Sequence, residues 1–371
     1  MKKVLYISNE DRAVGGSSLS LLAMLQALKG EVQPVILFRE DGIAAERFRS
    51  EGYECEVIPF NRATFHAKGL VRILRFLPHL IANAWIQARC VRKACKRFKG
   101  ITAVHCNSGT VDIGLRIARA MGVPHIWHIR EYLDLGLNSH PFPSWKHWFR
   151  ELNESDCVIA ISSGLFGHLG LKKHKFAVCL PDAVCSSADV NQNEEKEPYI
   201  AFVAGTISEI KRPDEAMRIF AASKADGYRL KYAGSMSSEM RSKLNSLANS
   251  LGIKNLIDFL PFQQDVKPLL SKASATLVCT EYEGMGRVAI EAMFCGCPVI
   301  ARNSGGSKDV LEDGRYGKLY NSEEEGAAQL AETLTVFPQA TVKAAREYAV
   351  NNYSIEGYGK KMMKIYTHLC D

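Results

Sequence analysis

Glu283 and Glu291 bracket the stretch of this chain whose residue types could do chemistry, EYEGMGRVAIEAMFCGCPVIAR at 281–302. A carboxylate only accepts hydrogen bonds, so a pair of them suits the hydroxyl groups of a ribose or a sugar. Between an apolar run at 275–280 and the next helical pattern lies a glycine-punctuated loop, Glu283-Gly284-Met285-Gly286. Val288, Ile290, Ala292, Met293 and Phe294 predict a helix from about Arg287, stopped by Gly296, and 297–301 reads as the next strand. That is a β-α-β unit with parallel strands. In open α/β sheets ligands sit outside the carboxyl ends of the strands, where this loop and the helix N-terminus fall. The N–H groups and positive dipole end of a helix N-terminus suit a phosphate. Glu291 lies about one turn inside a helix that reads as mostly buried, and a buried carboxylate needs a partner. Ligand hydroxyls or a neighbouring Lys or Arg would both serve, and spacing leaves the two open.

Two further places invite the same reasoning. Gly15-Gly16 follows an apolar run at 4–8 and permits close backbone approach, while Ser17 or Ser18 can cap the helix predicted by Leu19, Leu22, Leu25 and Leu28. A plain tight turn also explains the glycines. His128 closes the run 125–129 at a strand's carboxyl end, placed either for ligand contact or as a structural histidine. Arg130 and Glu131 come next and could form a local ion pair.

The elements that must hold these groups are legible as alternation. Apolar runs at 4–8, 34–38, 55–58, 102–106, 125–129, 157–161 and 176–180 alternate with helical patterns, which implies a parallel, doubly wound sheet. A polar stretch at 186–198 has no apolar period and reads as a linker. A second series starts at 199–204 and continues at 229–233 and 257–260. Tyr358, Met362, Ile365 and Tyr366 fall at helical spacing near the end. The expected division is 1–185, a linker at 186–198, 199–352, and a helix at 353–371 that crosses back to the first domain.

Composition agrees with two globular domains. A length of 371 residues allows two large cores, and 47% hydrophobic with 23% charged residues is ordinary. The eleven cysteines show no metal-type spacing, and Cys106, Cys157, Cys179 and Cys279 in apolar runs are expected to be buried, reduced thiols of a cytoplasmic protein. MKKVLYIS is a charged pair feeding a strand, without the longer apolar core and cleavage site of a signal peptide. No apolar run is long enough to span a bilayer.

The net charge of +7 is uneven: residues 1–182 carry 25 Lys and Arg against 16 Asp and Glu. Between Glu56 and Asp112 there is no acidic residue but ten basic ones, interleaved with Leu74, Leu77, Ile81 and Trp85. This basic amphipathic pattern is either a solvated face over a normal core or a surface that meets anionic lipid, with Arg72, Arg75, Arg92 and Lys93 as cations and Trp85 as an interfacial anchor. No nucleic-acid motif accompanies it.

The stretch around Glu283 and Glu291, continued by Gly305-Gly306-Ser307-Lys308-Asp309-Val310-Leu311 and Asp313-Gly314-x-x-Gly317, resembles the signature of retaining, nucleotide-sugar-dependent glycosyltransferases of family four, the glycosyl transferases group 1 of bacterial surface-polysaccharide type. The resemblance implies a GT-B fold, two Rossmann-like domains with parallel sheets facing across a cleft. It implies a UDP- or GDP-sugar donor on the C-terminal domain and a saccharide acceptor, polyprenyl-linked, mainly on the N-terminal one.

Residue by residue, Glu291 would hold the ribose and Glu283 the donor sugar, with Gly284, Met285, Gly286, Arg287 and Val288 around the diphosphate. Gly15 and Gly16 would face the phosphates, and His128 would hydrogen-bond the donor sugar. Asn107, Arg130 and Glu131 would stand on the acceptor side. After Gly205 the family carries an Arg and, five residues later, a Lys; Lys211 matches, Thr206 departs, and Arg212 is the substitute cation. Ala233-Gly234-Ser235 replaces a Gly-Asp-Gly type turn, and Phe262 sits where backbone groups meet the nucleobase. No Asp-x-Asp occurs, so no metal or other cofactor is expected. No residue stands out as a covalent nucleophile, and retention implies same-face displacement. A nucleotide-sugar epimerase and a transferase with a soluble acceptor stay open. The expected place of work is the cytoplasmic face of the plasma membrane.

Overall fold

The computed structural model describes residues 1–10, 14–64, 69–136, 139–189 and 195–370, with backbone alone at 69–76. The chain divides into two compact units, Met1–Ala183 with Tyr358–Asp371, and Val184–Gly357.

Unit 1 contains β1 (Lys2–Ile7), α1 (Gly16–Ala27), β2 (Val32–Phe38), α2 (Ile43–Ser50), β3 (Glu54–Val57), α3 (Gly69–Arg97) and β4 (Ala103–Cys106). It continues through α4 (Ile113–Met121), β5 (His125–Ile129), α5 (Trp145–Glu154), β6 (Cys157–Ala160), α6 (Ser163–His168) and β7 (Ala177–Cys179). Its seven strands run parallel in the order β3-β2-β1-β4-β5-β6-β7. A parallel sheet covered on both faces must be apolar throughout. Accordingly Val4, Leu5, Tyr6 and Ile7 of β1 and Ile126, Trp127 and Ile129 of β5 are fully buried. The edges relax this demand: Cys179, at the end of edge strand β7, is exposed rather than buried as expected, while Cys106, Cys157 and Cys279 are buried thiols.

Unit 2 contains β8 (Glu197–Ile207), α7 (Pro213–Ala222), β9 (Arg229–Met236), α8 (Ser238–Ser250), β10 (Ile257–Leu260), α9 (Lys267–Lys272) and β11 (Ala273–Val278). Then come α10 (Arg287–Phe294), β12 (Val299–Arg302), α11 (Gly305–Val310), β13 (Lys318–Tyr320), α12 (Glu323–Thr335), α13 (Gln339–Tyr353) and α14 (Ile355–Cys370). Six parallel strands are ordered β10-β9-β8-β11-β12-β13. Phe202, Phe220, Leu230, Tyr232, Leu277, Ile300 and Tyr320 pack in one core.

Three expectations about the layout are amended and one strand is added. The division falls at 183/184 and 357/358, not at 185/186 and 352/353, and it runs inside α14. Glu197 and Pro198, read as linker, begin β8. β13 escaped notice because three residues leave no period to read. Gly234 is not in a turn but in β9 with φ 155, where a Cβ would overlap the Ala204 carbonyl oxygen. The glycine there allows β8 and β9 to approach.

From Tyr358 onward, α14 belongs to unit 1, and its Tyr358, Met362, Ile365 and Tyr366 are buried. Gly359 lets its backbone reach Ala27, because a Cβ would strike the Ala27 carbonyl.

Candidate active site

In unit 2 the strand order reverses between β8 and β11, with β9 and β10 on one side and β12 and β13 on the other. Loops leaving the two central strands diverge there and open a crevice at their carboxyl ends. Lys211 follows β8 and Glu283 follows β11, and Lys211 Nζ donates to Glu283 Oε2 at 2.8 Å. Beside them Arg212 Nη1 donates to Glu281 Oε2 at 3.0 Å. Arg212 Nε also lies 2.5 Å from Oε2 of Glu215, which is fully buried. The other Glu215 oxygen accepts from Arg302 Nη1 at 2.8 Å and from the Tyr320 hydroxyl at 2.7 Å. Burial would raise the Glu283 carboxyl, but the Lys211 ammonium outweighs it and holds Glu283 below the usual carboxylate range. Arg287 Nε donates to Glu291 Oε1 at 2.9 Å, so of the two partners open to Glu291 the structure holds the cation one turn back. Burial wins at Glu291 and raises its carboxyl despite Arg287.

Glycines shape the loop between these carboxylates. Gly286, at φ 85, opens α10, and a Cβ on it would press on Ser307. Gly305, at φ 53, lies against the backbone of Glu283, and a Cβ on Gly306 would overlap that of Met285. Gly306 N–H donates to the Glu283 carbonyl at 2.7 Å. The Gly305-Gly306 pair therefore clamps 283–285 onto α11. Met285 is buried, while Gly284, Arg287 and Val288 are half-buried. Ser307 Oγ, buried beside Gly286, has no hydrogen-bond partner among the described residues. Thr206, near the end of β8, has its Oγ1 3.2 Å from Ser235 Oγ. Phe262, after β10, is exposed.

Unit 1 repeats the arrangement. Its order reverses between β1 and β4, and Asn107 after β4 donates from Nδ2 to the Ser17 carbonyl at 3.0 Å. Neither Ser17 nor Ser18 caps α1, contrary to expectation. Glu10 Oε2 accepts from Gly15 N–H at 2.9 Å and Ser18 N–H at 3.0 Å, so a carboxylate takes the helix N-terminus, with Gly16 opening the helix. Residues 11–13 of this loop lie outside the described set.

Arg130 and Glu131 do not bond to one another through their side chains. Arg130 Nε and Nη2 grip Asp182 at 2.8 and 2.9 Å, a buried two-pronged pair, and Nη1 donates to the Asn107 carbonyl at 2.9 Å. Glu131 accepts from the Ser108 hydroxyl and from Arg130 N–H, and burial raises its carboxyl.

His128 is fully buried on β5. Its Nδ1 is 3.3 Å from His105 Nε2, and its Nε2 is 3.5 Å from Asp182 Oδ1 with no hydrogen bond among the described residues. His105 Nδ1 is 2.8 Å from the Tyr366 hydroxyl, which is 2.8 Å from that of Tyr6. Burial drives both histidines well below their ordinary pKa, so both are neutral. Sequence reasoning missed Glu10, His105, Asp182, Glu281 and Tyr366. Asp182 carried a usable signal, a carboxylate two residues past the apolar run at 176–180.

The expected lipid-facing cations sit on α3. Arg72 and Arg75 fall among positions whose side chains are outside the described set. Along the described part, Gln87, Cys90 and Ala94 turn inward, and Leu77, Ile81 and Trp85 stand 59–65% exposed. Arg89, Arg92, Lys93 and Lys96 lie on the turns that follow, with the Arg89 guanidinium 5.4 Å from the Trp85 ring centre. No helix among the described residues is long and apolar enough to cross a membrane.

Residues 187–348 match the model of the family described as Glycosyl transferases group 1. That segment, less than half of the chain, is similar to glycosyl transferases group 1 domains. Similar proteins include the D-inositol 3-phosphate glycosyltransferases of Mycolicibacterium smegmatis, 35% identical over 41% of this chain and 36% of that one, and of Mycobacterium tuberculosis, 38% identical over 35% and 28%. The match thus spans about a third of the length of those curated relatives. Among solved structures, Anabaena HepE in complex with UDP aligns over 100% of both chains with TM-score 0.79 at 16% identity. A variant of S. aureus TarM, in a complex containing UDP, aligns over 99% of this chain and 100% of that one with TM-score 0.79 at 12% identity. At such identities the likeness concerns the fold, which is GT-B: α/β, with one parallel sheet in each of two domains.

Proposed function

We propose that this chain is a retaining glycosyltransferase, moving a sugar from a UDP- or GDP-sugar to a hydroxyl of a polyprenyl-linked saccharide during synthesis of a bacterial surface polysaccharide. The observation that carries the reading is the Lys211–Glu283 contact at the β8/β11 reversal of a segment similar to glycosyl transferases group 1 domains. UDP in solved structures of the same fold, and UDP-glucose in one of HepE, support a nucleotide-sugar donor.

In this reading Glu291 accepts from the ribose hydroxyls and Glu283 from those of the donor sugar. The diphosphate lies between Lys211 and the α10 N-terminus, with Arg212 at hand in place of the family's Arg. As the glycosidic bond breaks, charge grows on the leaving phosphate. The fixed ammonium and backbone N–H groups stabilise that charge more than the ground state. These groups supply what a metal would, so the reaction is proposed as metal-independent. The leaving phosphate takes the proton of the incoming hydroxyl on the same face, which retains configuration without a covalent enzyme intermediate. Gly15, Gly16, His128, Asn107, Arg130 and Glu131 serve the donor sugar and the acceptor. The exposed apolar and basic turns of α3 meet the anionic cytoplasmic leaflet, where the acceptor waits.

The relatives' name supports a second reading, transfer to a small soluble acceptor such as an inositol phosphate. One experiment separates these. The protein is incubated with UDP- and GDP-sugars plus either a polyprenyl-diphosphate saccharide or inositol 3-phosphate, and products are read by mass spectrometry. Glycosylated lipid is the expected result. Glycosylated inositol phosphate moves the conclusion to the second reading. An epimerised nucleotide sugar formed without acceptor overturns transfer.

A further inference from the structure

We infer that Tyr366 and His105 lock His128 in the tautomer that carries its proton on Nε2, making His128 a fixed hydrogen-bond donor. Two chain-wide proton arrangements are compatible with the distances. In the first, Tyr6 donates to Tyr366, Tyr366 donates to His105 Nδ1, His105 Nε2–H donates to His128 Nδ1, and His128 Nε2–H points towards Asp182. In the second, every bond is reversed.

The reversed chain fails at both ends. His128 Nε2 would turn a lone pair on the Asp182 carboxylate 3.5 Å away, which Arg130 grips with two hydrogen bonds. Tyr6 would then have to give its proton elsewhere, yet it is fully buried and its hydroxyl makes no second hydrogen bond among the described residues. A buried donor left without an acceptor is costly, and a lone pair facing a carboxylate adds to that cost. In the forward chain every proton but the last has an acceptor at bonding distance. The last, on Nε2, is unpartnered and buried, and is the one offered to a ligand oxygen. Both rings are kept neutral by burial, so the chain holds across physiological pH.

Tyr366 is thus a positioning residue that acts through His105. The use of the donor on a sugar hydroxyl rests on the transferase reading above, whereas the tautomer does not. The test is the ring 15N spectrum of protein labelled at histidine, with His128 assigned by the signal lost in His128→Gln. His128 should show a bare Nδ1 and a protonated Nε2; the opposite pattern overturns the inference. Tyr6→Phe and Tyr366→Phe each delete one buried hydroxyl, so a merely structural role would treat them alike. Tyr6→Phe should keep the single tautomer, because Tyr366 still donates. Tyr366→Phe should admit the second tautomer and lower kcat roughly five- to tenfold, the rate equivalent of about one hydrogen bond, with KM for the nucleotide sugar unchanged. A Tyr366→Phe protein whose His128 signal matches wild type sinks the role of Tyr366. If that variant does not fold, the wild-type and Tyr6→Phe spectra decide. A wild type that transfers no sugar defeats the transferase reading and leaves the spectra to judge the tautomer.

Discussion

Lys211, Arg212 and Arg287 each hold a carboxylate of their own unit. A diphosphate must compete with Glu283 and Glu281 for the first two, and the competition lets mutation separate binding from rate. Glu291→Gln should weaken nucleotide binding by about 1–3 kcal/mol, because one charged hydrogen-bonding contact is lost. Unchanged affinity by calorimetry would remove Glu291 from the ribose. Glu283→Gln should lower turnover and leave nucleotide affinity equal to wild type or tighter, since Lys211 is released to the phosphates. An unimpaired Glu283→Gln enzyme would end that assignment. Lys211→Ala should cost rate first, as it strips charge from the leaving group and also frees Glu283 to take a proton as its pKa rises towards the ordinary value and beyond.

At the scale of elements, α3 sorts its residues by face: Gln87, Cys90 and Ala94 inward, then Leu77, Ile81 and Trp85 outward, with basic turns beyond. Each cation near an anionic leaflet contributes about 1 kcal/mol before screening. Vesicles containing anionic lipid should therefore float the protein at low salt and release it at high salt. Trp85→Ala with Arg92→Glu and Lys93→Glu should abolish flotation without altering catalysis on a soluble acceptor analogue. If the wild type ignores anionic vesicles, the outward face of α3 is only solvated surface.

Elements of this kind were largely readable beforehand, because parallel strands buried on both faces must be apolar runs and β-α-β spacing sets their direction. The Glu291–Arg287 pair was only half readable: a neighbouring Lys or Arg was one of two partners the spacing left open, and the contact with Arg287, a turn back on the same helix, came from the structure. Contacts across the fold were not readable. Lys211 meets Glu283 over 72 positions and His105 meets Tyr366 over 261, and no local period records which strand ends become neighbours. Glu10 at the α1 N-terminus was hidden for the same reason: serines beside the helix were the local solution, and a carboxylate reaching back across the loop took their place.

For the molecule as a whole, the telling feature is that unit 1 is assembled from two separated pieces of chain. Tyr358, Met362, Ile365 and Tyr366 fill its core from the second piece. At about 1.5–3 kcal/mol for each large side chain, their removal should cost roughly as much as the whole stability of a domain. A chain ending at Gly357 should lose the calorimetric transition of unit 1 and still bind nucleotide through unit 2. Survival of both transitions would show the second piece to be dispensable. The arrangement also sets a timetable. Domains are ordinarily able to fold in the order in which the ribosome delivers them. Here the amino-terminal domain is delivered in instalments, and its seven strands must wait while the entire middle of the protein is translated. Unit 2, encoded later, is the first that can be finished, and the nascent first half spends that interval with an unfilled seam, a natural client for a chaperone.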